Sequence, residues 1–289
     1  MLKKRIVATL IVRDGILVQS VRFSQYLPVG DPIIAIDFFN RWGIDEIVLL
    51  DISASKNGSN VDLGLIRRWG KVCFVPMAIG GGIRNLDQVR NLIANGADKI
   101  LLNHAALHNQ SLITKTAEIF GSQCVLAAMD VIKDLDGYHV YDHISRQKTQ
   151  FRPDKFACEL VKRGAGEIFI NSVDRDGTKI GFDLELINKI CAAVPVPIIC
   201  CGGAGRPKDF VEVFQSTNVN AASASNFFHF AEHNITLVKA ELNRSGVFVR
   251  YDTQANYLMN RIDPFGRLLK KSDEDLERLT YVRLQPEII

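Results

Sequence analysis

Two short glycine runs follow strand-like apolar segments, and each could hold a phosphate. Gly81-Gly82 follows one such segment and Gly202-Gly203 follows another. Glycine lets the backbone adopt positive φ and approach an anion closely. Two such turns predict a long ligand with a phosphate at each end. The alternative is that both are only tight turns between a strand and a helix.

Polar side chains at neighbouring strand ends could complete these phosphate sites. Asn103, Ser225 and Asn226 each end a strand-like run, and a further turn contains Asp176 and Gly177. Such groups supply side-chain and backbone donors to an anion.

Four charged residues stand at the starts of strand-like runs: Arg5, Glu46, Lys99 and Glu167. Charges that point into a barrel must pair with one another, because a lone buried charge is very costly. Two acids and two bases predict a neutral ring. A small neutral molecule could pass through such a ring. The alternative is that the four residues form a salt-bridge plug that closes the barrel.

An alternation of strand-like and helix-like segments along the chain predicts the fold that positions the glycine turns and the four charged residues. Eight apolar runs predict strands at Ile6–Val12, Glu46–Asp51, Val75–Gly80, Lys99–Asn103, Cys124–Asp130, Glu167–Ser172, Ile198–Gly202 and Ala221–Ser225. Segments of helical period follow the strands, for example Leu86–Ala94, Asp154–Arg163 and Leu184–Ala193. Eight such units in one chain predict an α/β fold, a closed (β/α)8 TIM barrel over residues 1–249.

The barrel pattern repeats in two halves. Gly81 and Gly202, like Glu46 and Glu167, are 121 residues apart (202 − 81 and 167 − 46). This offset predicts two half-barrels of four β/α units each. Residues 250–289 lie beyond the eighth helix as a C-terminal extension. It contains one predicted helix, Ser272–Thr280, and an apolar run, Tyr281–Leu284. The extension either packs on the barrel or docks a partner.

Composition narrows the class of protein. The 289 residues include 47% hydrophobic and 23% charged side chains, with a net charge of +3. This proportion of hydrophobic to charged side chains is typical of a globular domain. The small net charge gives no support for binding to nucleic acid or to a membrane. Six cysteines without a Cys-x-x-Cys pair, and no signal peptide, predict reduced thiols in a cytoplasmic protein. We therefore predict no metal and no cofactor.

The order of several motifs resembles one family closely. They are Met1-Leu2-Lys3-Lys4-Arg5-Ile6, Gly80-Gly81-Gly82-Ile83, Asn95-Gly96-Ala97-Asp98-Lys99, Phe120-Gly121-Ser122-Gln123, Asp174-Arg175-Asp176-Gly177-Thr178 and Gly202-Gly203-Ala204-Gly205. Over roughly residues 1–250 the chain resembles the cyclase subunit of imidazole glycerol phosphate synthase. The resemblance implies a glutaminase bound at the N-terminal face of the barrel. Ammonia then passes through the barrel to a bis-phosphorylated aminoimidazole carboxamide nucleotide.

The resemblance also assigns roles to individual residues. It implies that Arg5, Glu46, Lys99 and Glu167 form the gate of the ammonia channel and that Asp98 faces the glutaminase. Two catalytic aspartates of the family correspond to Asp130, which is retained, and to Ile11, where the acid is lost. Isoleucine cannot carry a proton, and one acid/base group contributes about 10²–10⁴ in rate.

Other positions at the mouth of the barrel also differ from the family. Gln19 replaces a lysine of the first loop, His104 replaces threonine, and Cys201 replaces serine. With this combination of residues, the chain is similar to paralogues of the family that serve acetamidino-sugar formation in surface polysaccharide synthesis. The implied role is an ammonia conduit between a glutaminase and an ATP-using sugar amidotransferase. The alternatives are an active cyclase of histidine biosynthesis and an unrelated phosphosugar-binding module.

A histidine pair offers a metal spacing at first sight. His139 and His143 are four residues apart, which would suit a metal on a helix. The alternating stretch Gly137–His143 instead favours an extended surface hairpin after the fifth strand.

Overall fold

A computed structural model describes residues 3–57, 61–230, 233–251, 257–263 and 265–278. Its strands are β1 (Arg5–Arg13), β2 (Ile16–Val21), β3 (Gln25–Gly30), β4 (Glu46–Asp51), β5 (Met77–Gly80), β6 (Lys99–Leu102), β7 (Val125–Asp134), β8 (Gly137–Asp142), β9 (Gln147–Lys148), β10 (Glu167–Ser172), β11 (Ile198–Cys201) and β12 (Ala221–Ala224). Eight of them pair in parallel in the order β1, β4, β5, β6, β7, β10, β11, β12, and β12 returns to β1. The predicted (β/α)8 barrel is confirmed.

Helices surround this barrel. They are α1 (Pro32–Arg41), α2 (Ile52–Asn57), α3 (Leu63–Val72), α4 (Leu86–Ala94), α5 (His104–His108), α6 (Ser111–Phe120), α7 (Pro153–Lys162), α8 (Leu184–Ala193), α9 (Pro207–Ser216), α10 (Asn234–Arg244) and α11 (Asp273–Glu277). The predictions for α4 and α8 are confirmed to the residue. Helix α7 begins one residue earlier than predicted, because Pro153 occupies its first turn, where a missing N–H is tolerated.

Most strand predictions match the observed barrel within two residues, with one extension. Strand β7 was predicted to end at Asp130 and continues to Asp134, because β8 pairs with it in an antiparallel hairpin. The predicted hairpin at Gly137–His143 is thereby confirmed. A second hairpin, β2 with β3, was not predicted, and it follows β1 over the C-terminal mouth of the barrel.

The core is divided by the barrel wall. The larger cluster fills the space between strands and helices, with Trp69, Phe156 and Phe210 among its fully buried side chains. The smaller cluster fills the barrel interior and consists of Val7, Val48, Ala78, Leu101, Leu126, Ala128, Phe169, Ile199 and Ala221. Alternation along each strand separates the two clusters. Cys200 and Cys201 follow this rule, since Cys200 packs outward and Cys201 packs inward.

The half-barrel repeat has a counterpart in backbone packing. A Cβ added to Gly81 would lie 2.1 Å from the carbonyl oxygen of Asp51. A Cβ added to Gly202 would lie 2.6 Å from that of Ser172. Both pairs are related by the predicted offset of 121 residues, so the two glycine turns close on equivalent strand ends.

The described part of the extension contacts the barrel at α9 and α10. Arg244 donates to the carbonyl oxygen of Asn260, and a Cβ added to Gly266 would lie 2.5 Å from Cδ of Pro207. Ser272 caps α11 as predicted, through the N–H of Asp275 at 3.1 Å. The helix is shorter than predicted. Residues 279–280 and the run Tyr281–Leu284 lie outside the described residues. Among the described helices, none has the length and apolar character needed to cross a membrane.

Candidate functional site

The four predicted gate residues meet at the N-terminal end of the barrel. Lys99 Nζ lies 2.7 Å from Glu46 Oε1 and 2.7 Å from Glu167 Oε2. Arg5 donates to the other oxygen of each glutamate. Each glutamate therefore accepts from both cations, and the charges alternate around a closed, neutral ring.

Burial sets the electrostatics of this ring. The Glu46 side chain is 2% exposed and that of Glu167 is 7% exposed. Burial raises the pKa of Glu46 above its ordinary value, although Lys99 and Arg5 oppose that shift. Burial lowers the pKa of Arg5, but Glu167 and Glu46 more than offset it, and the net shift is upward. Removal of any one charge would leave its neighbours only partly compensated.

Asp98 lies beside the ring at the same end of the barrel. Its Oδ2 accepts from the N–H of Met77 at 2.8 Å, which ties the starts of β5 and β6 together. The residue is otherwise exposed. It therefore has a structural contact as well as a carboxylate that a partner could reach, and its predicted role at an interface stays a prediction.

The interior above the ring is apolar and then becomes polar. Ala78, Leu126 and Phe169 belong to the apolar cluster that follows the ring. Beyond it, Thr9 Oγ1 and Ser223 Oγ share a hydrogen bond of 2.7 Å. A neutral small molecule meets no charge in this layer.

A cavity of about 520 Å³ opens at the C-terminal mouth. Ile11 and Asp130 both line it, as do Gly81, Gly82 and Ser225. Ile11 is 7% exposed, so an apolar side chain occupies the position where the resemblance implies an acid. The mouth thus keeps one of the two predicted acid/base positions.

Asp130 lies among polar neighbours. Asn103 Nδ2 donates to Asp130 Oδ2 at 2.8 Å, and His143 Nδ1 lies 3.4 Å from the same oxygen. Burial lowers the pKa of His143, but the neighbouring Asp130 more than offsets it, and the net shift is upward. Buried polar atoms of Asn103, Asn171 and Ser225 have no hydrogen-bond partner among the described residues. Such atoms favour a polar ligand in this cavity.

The hairpin of β2 and β3 is fastened to three predicted phosphate-binding residues. Asn226 binds the Ser20 backbone through both amide atoms, at 3.1 and 2.6 Å. Asp176 Oδ2 accepts from Ser20 Oγ at 2.6 Å, and Gly177 packs against the carbonyl oxygen of Ser20. Burial raises the pKa of Asp176 to about 6. Phosphate binding by these residues stays a prediction, since here they hold the first loop.

The two glycine turns differ in their surroundings. Gly81 and Gly82 line the cavity. Gly203 packs against Gly181, where an added Cβ would lie 2.0 Å from the carbonyl oxygen. Both turns need glycine for close backbone packing, which the sequence analysis had given as the alternative to phosphate binding. The structure brings only the first turn into the described cavity wall.

Four further side chains that were singled out in the sequence do not share a site. Gln19 does not line the described cavity, whereas Ser20 does, because alternate residues of β2 face opposite sides. Burial raises the pKa of the Cys201 thiol to about 12, so it stays neutral. His139 faces Asp134 and His143 faces Asp130, so this pair is not a shared metal site.

One group was missed by the sequence analysis. His104, His108 and Asp142 place one donor atom each within 4.8 Å of one another at the rim of the mouth. The four-residue spacing of the two histidines was the available signal. Asp142 could not be associated with them from sequence, because it lies on a different strand-loop unit.

These features define a (β/α)8 barrel with a charged ring at one end and a polar ligand cavity at the other. A sequence family described as histidine biosynthesis protein matches residues 5–234. Imidazole glycerol phosphate synthase subunit HisF of Clostridium botulinum (strain Langeland) is 43% identical over 252 residues, 86% of this chain and all of that protein. The HisF subunits of Halalkalibacterium halodurans and Geobacillus kaustophilus, with the same coverage, are 42% and 41% identical. The chain belongs to this histidine biosynthesis protein family.

Proposed function

We propose that this chain is the ammonia-conducting barrel of a glutamine amidotransferase complex. A glutaminase bound at the N-terminal face releases ammonia, which crosses the barrel to a separate ATP-using sugar amidotransferase. The acceptor is an acetamidino-sugar precursor of surface polysaccharide synthesis. The observation that carries the proposal is a closed ring of Arg5, Glu46, Lys99 and Glu167 below a mouth where Ile11 replaces an acid.

The ring and the layer above it suit neutral ammonia. The ring has no net charge, and Lys99 closes one side of it through two contacts of 2.7 Å, to Glu46 and Glu167. The layer of Ala78, Ala221 and their apolar neighbours then excludes ammonium, because an unpaired charge there would be very costly. Ammonia therefore arrives at the mouth unprotonated and nucleophilic.

The side chains at the C-terminal mouth favour transfer of ammonia to another protein over cyclisation of a nucleotide. Asp130 is retained, but Ile11 carries no proton and the Gln19 side chain faces away from the cavity. Loss of one acid/base group costs about 10²–10⁴ in rate. The cavity of about 520 Å³ is still large enough to admit a phosphorylated metabolite or to pass ammonia onward.

A pair of matched variants tests conduction. Ala221 faces the barrel interior in register with Arg5, whereas Ala222 faces the helices. In a complex with its glutaminase and sugar amidotransferase, Ala221→Leu should reduce glutamine-driven amidination and leave ammonium-driven amidination intact. Ala222→Leu overpacks the same strand on the other side and should spare both. Equal loss in both variants would contradict conduction through the barrel.

A second candidate is an active cyclase of histidine biosynthesis. It is favoured by the names of relatives at 41–43% identity, all of them imidazole glycerol phosphate synthase subunits. His143, 3.4 Å from Asp130, would give the mouth a second group able to carry a proton. Cyclase turnover with ammonium ions alone distinguishes this candidate from the first.

A further inference from the structure

Helix α5 presents two histidines to the same side. His104 is its first residue and His108 its last, one helical turn apart, and their ring centroids are 4.3 Å from each other. Residues four apart on a helix are neighbours on its surface. The two rings therefore form a ready pair of nitrogen donors at the rim of the mouth.

Asp142, the last residue of β8, faces this pair. Its Oδ2 lies 3.2 Å from His108 Nε2, and its Oδ1 lies 3.8 Å from His104 Nδ1. In a tetrahedral zinc site with bonds of 2.0–2.1 Å, ligand atoms lie about 3.3 Å apart. One donor atom from each residue lies within 4.8 Å of the others, so side-chain adjustments of about 1 Å would bring the three donors to that spacing.

The surroundings fix the carboxylate and leave one nitrogen unused. The N–H of Ile144 donates to Asp142 Oδ1 at 2.9 Å, as an outer contact that orients a metal ligand does. His104 Nδ1 is buried and has no hydrogen-bond partner among the described residues. An ion pair between His108 and Asp142 would account for the positions of those two side chains. It would still leave the buried His104 Nδ1 without a hydrogen bond.

We infer that His104, His108 and Asp142 bind a divalent transition-metal ion of the Zn²⁺ class. Two imidazoles favour such an ion over Mg²⁺ or Ca²⁺, which prefer oxygen ligands. Three protein ligands leave a coordination position open. His104 also lines the cavity that contains Asp130, so an oxygen of a phosphorylated ligand or of a water molecule would take this position. The inference holds whether or not ammonia crosses the barrel.

The test is a titration of the purified full chain with Zn²⁺, by calorimetry in competition with a chelator. Absorption with Co²⁺ as the probe reports the ligand set. His104→Thr introduces the residue that the family resemblance implies there, and His108→Ala changes a side chain that is 54% exposed, so both should fold. His139→Gln is the control, because His139 contacts Asp134 on the far side of the hairpin.

The wild type should bind one Zn²⁺, and each ligand variant should bind at least about 100-fold more weakly, since even outer-shell changes cost 10–100-fold. The control should retain wild-type affinity. The inference is wrong if the wild type binds no Zn²⁺, or if His104→Thr and His108→Ala bind it as tightly as the wild type. A Co²⁺ spectrum with thiolate charge-transfer bands would assign the metal to cysteines and overturn the inference equally.

Discussion

At the N-terminal end of the barrel, four charged side chains satisfy one another completely. At the C-terminal mouth, by contrast, polar atoms of Asn103, Asn171 and Ser225 have no partner among the described residues, and the apolar Ile11 lines the cavity where the resemblance implies an acid. The first arrangement is closed and self-sufficient. The C-terminal mouth is open, and it lacks the acid that the resemblance implies at Ile11. Under the proposed function, the scaffold retains the ring that admits ammonia while the side chains at the other end have diverged.

The largest expected effect comes from breaking the ring. Glu46→Ala leaves Arg5 and Lys99 to share Glu167 alone, and a broken buried pair costs about 3–5 kcal/mol. Because Arg5 is 29% exposed, we expect about 3 kcal/mol, measured by urea unfolding. Glu46→Gln, which keeps polar contacts, should cost less. A loss below about 1 kcal/mol for Glu46→Ala would show that the ring does not stabilise the fold.

Stability should depend on pH at the C-terminal mouth because of one buried carboxyl group, that of Asp176. The pKa of Asp176 is about 6 in the folded chain, against an ordinary value of 3.8, because burial outweighs the hydroxyl of Ser20 and the N–H groups of Phe23 and Arg22. Asp130 adds repulsion. A raised carboxyl pKa contributes stability below the unfolded value that is lost as pH rises through the folded value.

Between pH 4 and pH 7 the wild type should therefore lose about 2 kcal/mol of unfolding free energy relative to Asp176→Asn. Parallel curves for the two proteins would contradict this assignment. The same ionisation should loosen the hairpin of β2 and β3, because the hairpin is fastened to Asp176. Hydrogen exchange at Ser20 and Phe23 would report it.

Asp98 allows a test of glutaminase binding at the N-terminal end of the barrel. Asp98→Ala should weaken glutaminase association about 10-fold through loss of a rim charge. It also removes the acceptor for Met77 N–H, whereas Asp98→Asn keeps that acceptor and removes only the charge. Both variants should weaken association in a binding titration, and only Asp98→Ala should lower stability. Unchanged affinity in both would remove Asp98 from the interface.

The smallest effect is expected from restoring an acid at the mouth. Ile11→Asp should bring cyclase turnover to no more than about 10-fold above the detection limit of the assay, because Gln19 also differs from the residue that the resemblance implies and faces away from the cavity. Leucine at the same position is the matched control. A gain of about 10² or more would show that the missing acid alone limits the reaction.

Sequence patterns predicted the barrel because apolar runs such as Glu46–Asp51 and Glu167–Ser172 are buried on both sides. They also predicted the ring residues, since strand starts meet at one end of a barrel. The hairpin of β2 and β3 was missed because its pairing depends on tertiary contacts of Ser20 with Asp176 and Asn226. The group of His104, His108 and Asp142 was missed for the same reason.

We propose that this barrel conducts ammonia without cyclising a nucleotide. The direct measurement is an ammonium-dependent cyclase assay of the purified chain with the bis-phosphorylated aminoimidazole carboxamide nucleotide, with no glutaminase present. We predict no detectable imidazole glycerol phosphate from a folded chain that still binds its glutaminase. Turnover on the order of 1 s⁻¹ would contradict the account and identify a working cyclase in which another group replaces the acid at Ile11.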